Sequence, residues 1–265
     1  MSYTTIETEL KNGVAYVWLN RPDLRNAMND VVIGELTSAV AGAIADAAAR
    51  VIVLGGRGKA FCAGADLAWM KKGREMSAEE AREDTGSLAR VMRMLYESPK
   101  PAVARVHGAA FAGGMGLVSA CDIAIATPEA KFCLSEVKLG LIPAMISPYV
   151  IRAMGERAAR RYFLSAEVID AAEAHRIGLV HELVEPAELD ARLDALLGHL
   201  VQGSPNALGE TKRLIRDVTG QPIDDELTAD TAARIARARA SDEAQEGISA
   251  FFEKRKPNWV ADSSR

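Results

Sequence analysis

Two short loops rich in glycine and alanine carry the residues of this sequence that are best suited to catalysis. One is the AGAD stretch at residues 63–66, the other is the AGG stretch at residues 112–114, and each follows an apolar run. A helix that begins after such a loop leaves its first backbone N–H groups unpaired, and its dipole favours an anion there. Two convergent N–H groups can hold the charge that develops on a carbonyl oxygen. Taken alone, the second loop equally fits a tight strand-to-helix connection.

One carboxylate, Glu136, is the candidate partner of these loops. It follows Ser135, a residue type that often caps helices, and a glycine and two prolines in residues 140–148 prevent a long helix. A carboxylate there can transfer protons, or it can merely complement the dipole of a helix start. We interpret His107 as hydrogen-bonded structure rather than as a catalytic base, and Asp122 as a strand-start residue that pairs locally.

The elements that must position these residues can be predicted from hydrophobic spacing. Residues 5–20 alternate around an Asn-Gly pair, which predicts a β-hairpin. The apolar runs at residues 51–56 and 102–106 are typical of strands buried on both faces. Between them, residues 77–97 are amphipathic and start with Ser77 and Glu80, the pattern of a capping box. Because a helix separates the two strands, we expect a parallel sheet with both loops at one edge.

The end of the chain is predicted to be helical. Four helices are expected, over residues 186–201, 206–218, 224–240 and 241–254. Their richness in alanine and charge is typical of a helical appendage that packs on the core or on a neighbouring subunit. We therefore divide the chain into an α/β core at residues 1–200, which contains both loops, and a C-terminal helical region at residues 201–265.

Composition and charge exclude several classes of function. The 265 residues carry a formal net charge of −4, which gives no electrostatic footprint for nucleic acid, and no run predicts membrane binding or a membrane span. Three cysteines lack the paired spacing of a metal or redox site, so we expect reduced core thiols and no metal. With no targeting signal at the start of the chain, we predict a soluble cytoplasmic protein.

Five segments together resemble the signatures of the crotonase, or enoyl-CoA hydratase/isomerase, superfamily, and the resemblance covers nearly the whole chain. It implies an α/β crotonase (ClpP-like) fold, in which repeated ββα units form a core sheet flanked by helices, with a C-terminal helical trimerisation region. The segments are NRP with NA at residues 20–27, FCAGADL at residues 61–67, the strand-loop-helix stretch at residues 101–122, GLIP at residues 140–143 and the stretch from EG to K at residues 246–256.

The resemblance also implies an acyl-CoA substrate and roles for individual residues. The backbone N–H groups of Ala65 and Gly113 would hold the thioester carbonyl, and Glu136 would transfer protons. The family implies no cofactor beyond the CoA that the substrate carries, and it implies a homotrimer or a hexamer of two trimers. The adenine end of CoA would lie along Ala63, Asp66 and Leu67, with Arg25 and Lys254 as candidates for its phosphates.

One departure from the family pattern concerns the number of carboxylates. Hydratases of this superfamily generally use two glutamates, and the first of these positions is Gly116 here. Residues 63–70, 133–143 and 146–150 look like those of bacterial methylglutaconyl-CoA and isohexenylglutaconyl-CoA hydratases, which implies hydration of a branched, carboxylated 2-enoyl-CoA such as 3-methylglutaconyl-CoA, a step of leucine degradation. Gly116 leaves two alternatives open, a single-glutamate Δ3,Δ2-enoyl-CoA isomerase and a non-catalytic acyl-CoA-binding homologue.

Overall fold

In residues 3–73 and 76–260, which the computed structural model describes, nine strands form two sheets. Along the chain they are β1 (Ile6–Lys11), β2 (Val14–Leu19), β3 (Val51–Gly56), β4 (Ala102–Val106), β5 (Ala109–Phe111), β6 (Ile123–Ala126), β7 (Lys131–Cys133), β8 (Ile169–Asp170) and β9 (Glu182–Leu183). The main sheet has the order β1-β2-β3-β4-β6-β9, and all its neighbouring pairs are parallel except β1 with β2. The predicted parallel sheet is therefore confirmed.

The hairpin that opens the sheet forms as the Asn-Gly pair predicts. Asn12 and Gly13 both adopt positive φ angles, 51° and 77°, and Lys11 pairs with Val14 across the turn. A two-residue turn of this kind has the twist that antiparallel strands require, and glycine takes the second position without a steric cost. A small sheet of β5, β7 and β8 was not predicted, because strands of two or three residues are too short to show an alternating pattern.

The helices cover both faces of the main sheet. The capping box at the start of the third helix is confirmed, since Ser77 and Glu80 each accept a hydrogen bond from the backbone N–H of the other. In chain order the helices are α1 (Asp30–Ala45), α2 (Leu67–Gly73), α3 (Ala78–Glu97), α4 (Gly113–Ala120), α5 (Ser147–Ser165), α6 (Ala171–Arg176), α7 (Leu189–Gln202), α8 (Pro205–Val218), α9 (Asp225–Arg239) and α10 (Asp242–Phe252).

Strand β3 shows why the central strands of the main sheet have continuous apolar sequences. Its side chains alternate between two apolar clusters, one on each face of the sheet. Ile52 and Leu54 pack in the larger cluster with residues of α1, α3 and α4, whereas Val51 and Val53 pack with Leu189 and other residues of α7. A strand covered on both faces gains burial free energy from every side chain, which the continuous apolar pattern predicts.

The C-terminal helices attach at the amino ends of the parallel strands. Lys212 of α8 forms an ion pair of 2.7 Å with Asp122, the residue that precedes β6. Arg50, which precedes β3, donates to the carbonyls of Gly203 and Trp259. The prediction that Asp122 pairs locally was wrong, because its partner lies in α8. The division at residue 200 remains a prediction, and α7 continues to Gln202.

The three cysteines lie in the described residues and are free thiols. Burial raises the pKa of Cys62 and of Cys121 to about 12, and no disulfide links the cysteines. Among the described ranges, no helix is both long and apolar enough to span a membrane. The same part of the chain brings together no group of three or more potential metal ligands.

Candidate active site

Both glycine loops leave the sheet at the same edge, as their position after parallel strands predicts. The first follows β3 and the second follows β4, and these strands are neighbours. The segments just before the two loops pair with each other, because the N–H of Cys62 donates to the carbonyl of Ala109 and the N–H of Phe111 donates to the carbonyl of Cys62, both at 2.9 Å. The two predicted anion-binding loops therefore form one connected backbone unit.

Ala65 lies in a short parallel bridge with Met28. The N–H of Met28 donates to the carbonyl of Gly64, and the N–H of Asp66 donates to the carbonyl of Met28, both at 2.8 Å. In a bridge of this type, the residue between the two bonded groups directs its own N–H away from the partner strand. The Ala65 N–H therefore points away from Met28 and is not used by the bridge.

Gly113 is the first residue of α4. The first helical hydrogen bond of α4 runs from the Gly116 N–H to the Ala112 carbonyl at 3.1 Å. The N–H of Gly113 therefore belongs to the first turn, where no preceding helical carbonyl can accept it. Ala112 has φ 46° and ψ −117°, a strained conformation for a residue with a side chain. Strain of this kind is characteristic of sites where the backbone direction is fixed for function.

Met28 links the two predicted oxyanion donors. Its backbone pairs beside Ala65, and the end of its side chain covers Gly113, where an added Cβ would lie 2.6 Å from Met28 Cε. A Cβ at Gly64 would lie 3.4 Å from the Cβ of Ala112. At Gly64 the φ of 97° also favours glycine, and Met28 brings the segments of Ala65 and Gly113 together.

Glu136 is the first residue of a short 3-10 helix, Glu136–Leu139. The chain just before it is tied to the second loop by a 2.8 Å bond from the Ala112 N–H to the Cys133 carbonyl. Its Oε2 is buried and has no hydrogen-bond partner in the described part of the chain. Burial raises the pKa of this carboxyl, although a bond from its own N–H opposes the effect. Ser135 occupies the N-cap position, but its side chain makes no capping bond.

Gly116 has no space for a side chain. A Cβ there would lie 2.3 Å from Ile146 Cγ2, 2.8 Å from Ile146 Cβ and 2.9 Å from Met92 Sδ. Two apolar side chains therefore fill the volume into which a residue at position 116 would extend. The position at which hydratases of the crotonase superfamily generally carry a second glutamate is therefore closely packed. Among the described residues, Glu136 remains as the candidate carboxylate for proton transfer.

Asp66 holds the first loop together with its side chain. Its Oδ1 accepts hydrogen bonds from the backbone N–H groups of Ala68 and Trp69, so Asp66 caps the start of α2. Its Oδ2 lies 3.0 Å from an Arg21 nitrogen that also donates to the Ala27 carbonyl. Burial alone would raise the pKa of Asp66, but the bonds from Trp69, Ala68 and Arg21 lower it. Arg21 lies in the NRP motif, but nothing in the sequence indicated its ion pair with Asp66.

The other predicted substrate-binding residues separate into two groups. Ala63 donates its N–H to the Arg25 carbonyl at 2.9 Å, which places the exposed Arg25 beside the first loop, and Leu67 is 77% exposed at the start of α2. Lys254 is exposed just after α10. It is close in sequence to Trp259, whose carbonyl accepts a hydrogen bond from Arg50 at the amino ends of the parallel strands. The structure therefore groups Arg25, Ala63 and Leu67 and places Lys254 with the C-terminal region.

His107 has a structural hydrogen bond. Its Nε2 lies 2.9 Å from the Gly58 carbonyl, and burial lowers its pKa, so that the neutral ring is favoured. This contact joins the starts of the two glycine loops. The interpretation of His107 as hydrogen-bonded structure agrees with this geometry.

Comparisons with known proteins find similarity over nearly the whole chain. A family profile described as "Enoyl-CoA hydratase/isomerase" matches residues 9–262. A crotonyl-CoA hydratase from Syntrophomonas wolfei is 34% identical over 98% of this chain and 100% of its own length. A short-chain-enoyl-CoA hydratase from Clostridium acetobutylicum is 33% identical over 97% of each chain. The crystal structure of an enoyl-CoA hydratase from Shewanella pealeana is 44% identical, with a TM-score of 0.94 over 97% of this chain and 96% of that one.

Proposed function

Since the chain belongs to the enoyl-CoA hydratase/isomerase family and has its α/β crotonase fold, we propose that it hydrates a 2-enoyl-CoA with a single carboxylate. Relatives of this chain are named enoyl-CoA hydratases, including a crotonyl-CoA hydratase. The observation that carries the proposal is the buried Oε2 of Glu136, which has no partner in residues 3–73 and 76–260 and lies in the segment tied to the second loop, together with the backbone N–H groups of Ala65 and Gly113. A carboxylate kept without a partner costs stability, which is tolerated where it serves chemistry.

The thioester carbonyl is proposed to bind between the N–H groups of Ala65 and Gly113. As water adds to C3, the electrons of the C2=C3 double bond move onto the thioester oxygen and form an enolate. The two N–H groups and the dipole at the start of α4 stabilise this negative charge. Such donors act without reorganisation in a site that excludes water, and one donor contributes about 3 kcal/mol to the transition state.

Glu136 is proposed to transfer the proton in both halves of the reaction. Its carboxylate accepts a proton from water while the oxygen of that water bonds to C3. The carboxylic acid then donates the proton to C2, and the electron pair of the enolate forms the new C–H bond. The raised pKa suits this role, because it brings the acid and base forms closer to equal population near neutral pH.

The acyl group is proposed to be branched and to carry a carboxylate, as in 3-methylglutaconyl-CoA of leucine degradation. The support is the resemblance of residues 133–143 together with the packing at Gly116, where Ile146 and Met92 stand in place of a second carboxylate. Without that charge, an acidic acyl group meets less like-charge repulsion. Its own carboxylate then helps Glu136 to orient the attacking water.

A Δ3,Δ2-enoyl-CoA isomerase is the second candidate, and the filled space at Gly116 favours it. In that reaction Glu136 removes a proton from C2 of a 3-enoyl-CoA and returns it to C4, so no water needs to be held. An absorbance assay of the conjugated enoyl thioester distinguishes the two reactions. Hydration lowers the absorbance of crotonyl-CoA and 3-methylglutaconyl-CoA, whereas isomerisation raises that of 3-hexenoyl-CoA. Binding of these thioesters without any turnover would support the non-catalytic alternative.

The proposal includes the binding of CoA and the assembly of the chain. The adenine end of CoA lies along Ala63, Asp66 and Leu67, the phosphates contact Arg25, and Lys254 reaches the CoA of a neighbouring subunit. The exposed Phe251 and Phe252 of α10, 78% and 77% accessible, are suited to contacts in a homotrimer or hexamer. CoA enters only as part of the substrate, no further cofactor or metal takes part, and the enzyme is cytoplasmic.

A further inference from the structure

One face of α4 carries both Gly113 and Gly116, since residues three apart lie on the same side of a helix. That face is closely covered by apolar side chains. A Cβ at Gly113 would lie 3.0 Å from Leu88 Cδ2, and a Cβ at Gly116 would meet Met92 and Ile146. The oxyanion donor and the anomalous Gly116 therefore share one apolar wall.

Ile146 contributes the closest part of that wall. It is 2% exposed and directly precedes α5, where its carbonyl accepts from Tyr149 and Val150 at 3.1 Å. Its β-branched side chain is stiff at χ1, so it cannot easily turn away from Gly116. The segment that ends at Ile146 begins at Glu136, whose carbonyl accepts from Leu141 at 3.0 Å. The residue that fills the space and the remaining carboxylate therefore belong to one short segment.

We propose that Ile146 is a specificity-determining residue, because its side chain occupies the space of a second carboxylate and so restricts the site to one-carboxylate chemistry. The inference rests on the proposed function and adds to it the residue that enforces the single carboxylate. A glutamate at position 116 is prevented by shape, since its Cβ alone would overlap Ile146. Removing the Ile146 side chain beyond Cβ takes away the 2.3 Å overlap with Cγ2 and leaves the 2.8 Å contact with Ile146 Cβ, so it relieves part of the crowding while Glu136 and both loops stay unchanged.

The test compares four proteins, the wild type, Gly116→Glu, Ile146→Ala and the double variant, by urea unfolding and by hydration of crotonyl-CoA. Gly116→Glu alone is expected to lower the unfolding midpoint strongly, and Ile146→Ala is expected to restore part of that loss. The double variant is expected to hydrate crotonyl-CoA about tenfold faster in kcat than Ile146→Ala, because a second carboxylate can hold the water.

A matched control uses Val150, a buried residue one turn further along α5. Val150→Ala also shortens an apolar side chain of α5, yet it is expected to give no recovery when combined with Gly116→Glu. If Gly116→Glu does not fold, the pair Gly116→Ala and Ile146→Ala gives the same comparison with a smaller side chain, since a Cβ at position 116 already overlaps Ile146 Cγ2. Recovery is then expected to be partial, because Ile146 Cβ stays 2.8 Å away. Equal recovery with Val150→Ala, or additive losses with Ile146→Ala, would overturn the inference.

The two readouts separate this inference from the proposed function. A wild-type protein that hydrates no CoA thioester contradicts the hydratase proposal, and the unfolding midpoints alone then decide whether Ile146 excludes a side chain at position 116. Hydration by the wild type without any gain in the double variant overturns the role of Ile146 and leaves the hydratase proposal standing. A gain in both readouts supports both statements.

Discussion

The parallel strands of the main sheet have an amino end and a carboxyl end, called here the amino edge and the carboxyl edge. Each edge holds a partly buried carboxyl group, and the two groups differ in their hydrogen-bond partners. At the amino edge, Asp122 accepts from the Ala102 N–H and pairs with Lys212, both at 2.7 Å. At the carboxyl edge, the Oε2 of Glu136 has no partner among the described residues. Burial raises the pKa of both carboxyls, and Lys212 only partly opposes this effect at Asp122.

Under the proposed function, pairing rather than the direction of a pKa shift distinguishes the structural carboxyl of Asp122 from the catalytic carboxyl of Glu136. The bonds of Asp122 are satisfied by the fold, so it ties α8 to the sheet and has no capacity left for a substrate. Glu136 keeps an acceptor, Oε2, that no residue of the described ranges uses. Changes to the Asp122–Lys212 pair at the amino edge should therefore affect stability, whereas changes to Glu136 at the carboxyl edge should affect turnover.

The largest expected effect is the loss of turnover in Glu136→Gln. The amide keeps the size of the side chain but cannot accept and donate a proton, so kcat for crotonyl-CoA hydration should fall about 10³-fold. The KM should change little, because CoA is bound elsewhere. Asp122→Asn is the matched control at the other edge, and it should keep the wild-type kcat. Comparable losses of kcat in both variants would erase the distinction between the edges.

A smaller loss is expected when one backbone donor of the carboxyl edge is removed. Incorporation of glycolic acid at Gly113 in cell-free synthesis replaces the N–H by an ester oxygen without adding an atom to the crowded contact with Met28. The kcat should fall about 10²-fold, as for other oxyanion donors. The same replacement at Gly114, also in the first turn of α4, serves as the control and should have little effect. Equal effects would exclude a specific role for Gly113.

At the amino edge, Lys212→Met should lower stability rather than turnover. It leaves Asp122 without its cation and removes a 2.7 Å bond to the Leu95 carbonyl. We expect a loss of about 2 kcal/mol in the free energy of unfolding, at the low end for a broken pair because Asp122 is partly solvated. Urea unfolding measures this loss, and kcat per folded molecule should be unchanged. A fall in kcat without a stability loss would place function at this edge.

The smallest expected effect is a shift in pH dependence. Dehydration of 3-hydroxybutyryl-CoA needs the Glu136 carboxylate as a base, and burial raises the pKa of this group. Activity should therefore be lost as the pH falls through that raised pKa, at a midpoint above about 4.3, the usual value for glutamate. A pH profile of kcat/KM, which reports pKa values of the free enzyme, measures the midpoint, and Asp122→Asn should leave it in place. An acid limb at or below the usual value would show that Glu136 is not the titrating base.

Much of the fold could be predicted from the sequence because its signals are local. Asn12 and Gly13 specify the hairpin, Ser77 and Glu80 specify the start of α3, and the apolar run of β3 specifies a strand buried on both faces. Placing both glycine loops at one sheet edge then follows from parallel topology alone. These predictions need no knowledge of which distant residues touch.

The remainder depends on contacts between distant parts of the chain. The partner of Asp122 is Lys212, and the side chain that fills the space at Gly116 is Ile146, thirty residues away. Neither hydrophobic periodicity nor turn residues in the sequence indicate such long-range contacts. Ser135 occupies the predicted N-cap position, but its side chain makes no capping bond, because its φ of −83° and ψ of −2° are already helical, whereas a capping side chain needs an extended backbone. The presence of Gly116 could be read from the sequence, but its packing could not.

Exchange of the C2 protons of butyryl-CoA in D₂O tests the central claim most directly. This saturated thioester needs only the oxyanion hole and one base, so the result does not depend on whether water addition or isomerisation is the physiological reaction. We predict that ¹H NMR shows exchange with the wild type and with Asp122→Asn, and exchange slowed about 10²-fold or more with Glu136→Gln. Exchange by Glu136→Gln at the wild-type rate would contradict the assignment of Glu136 as the single proton-transferring carboxylate.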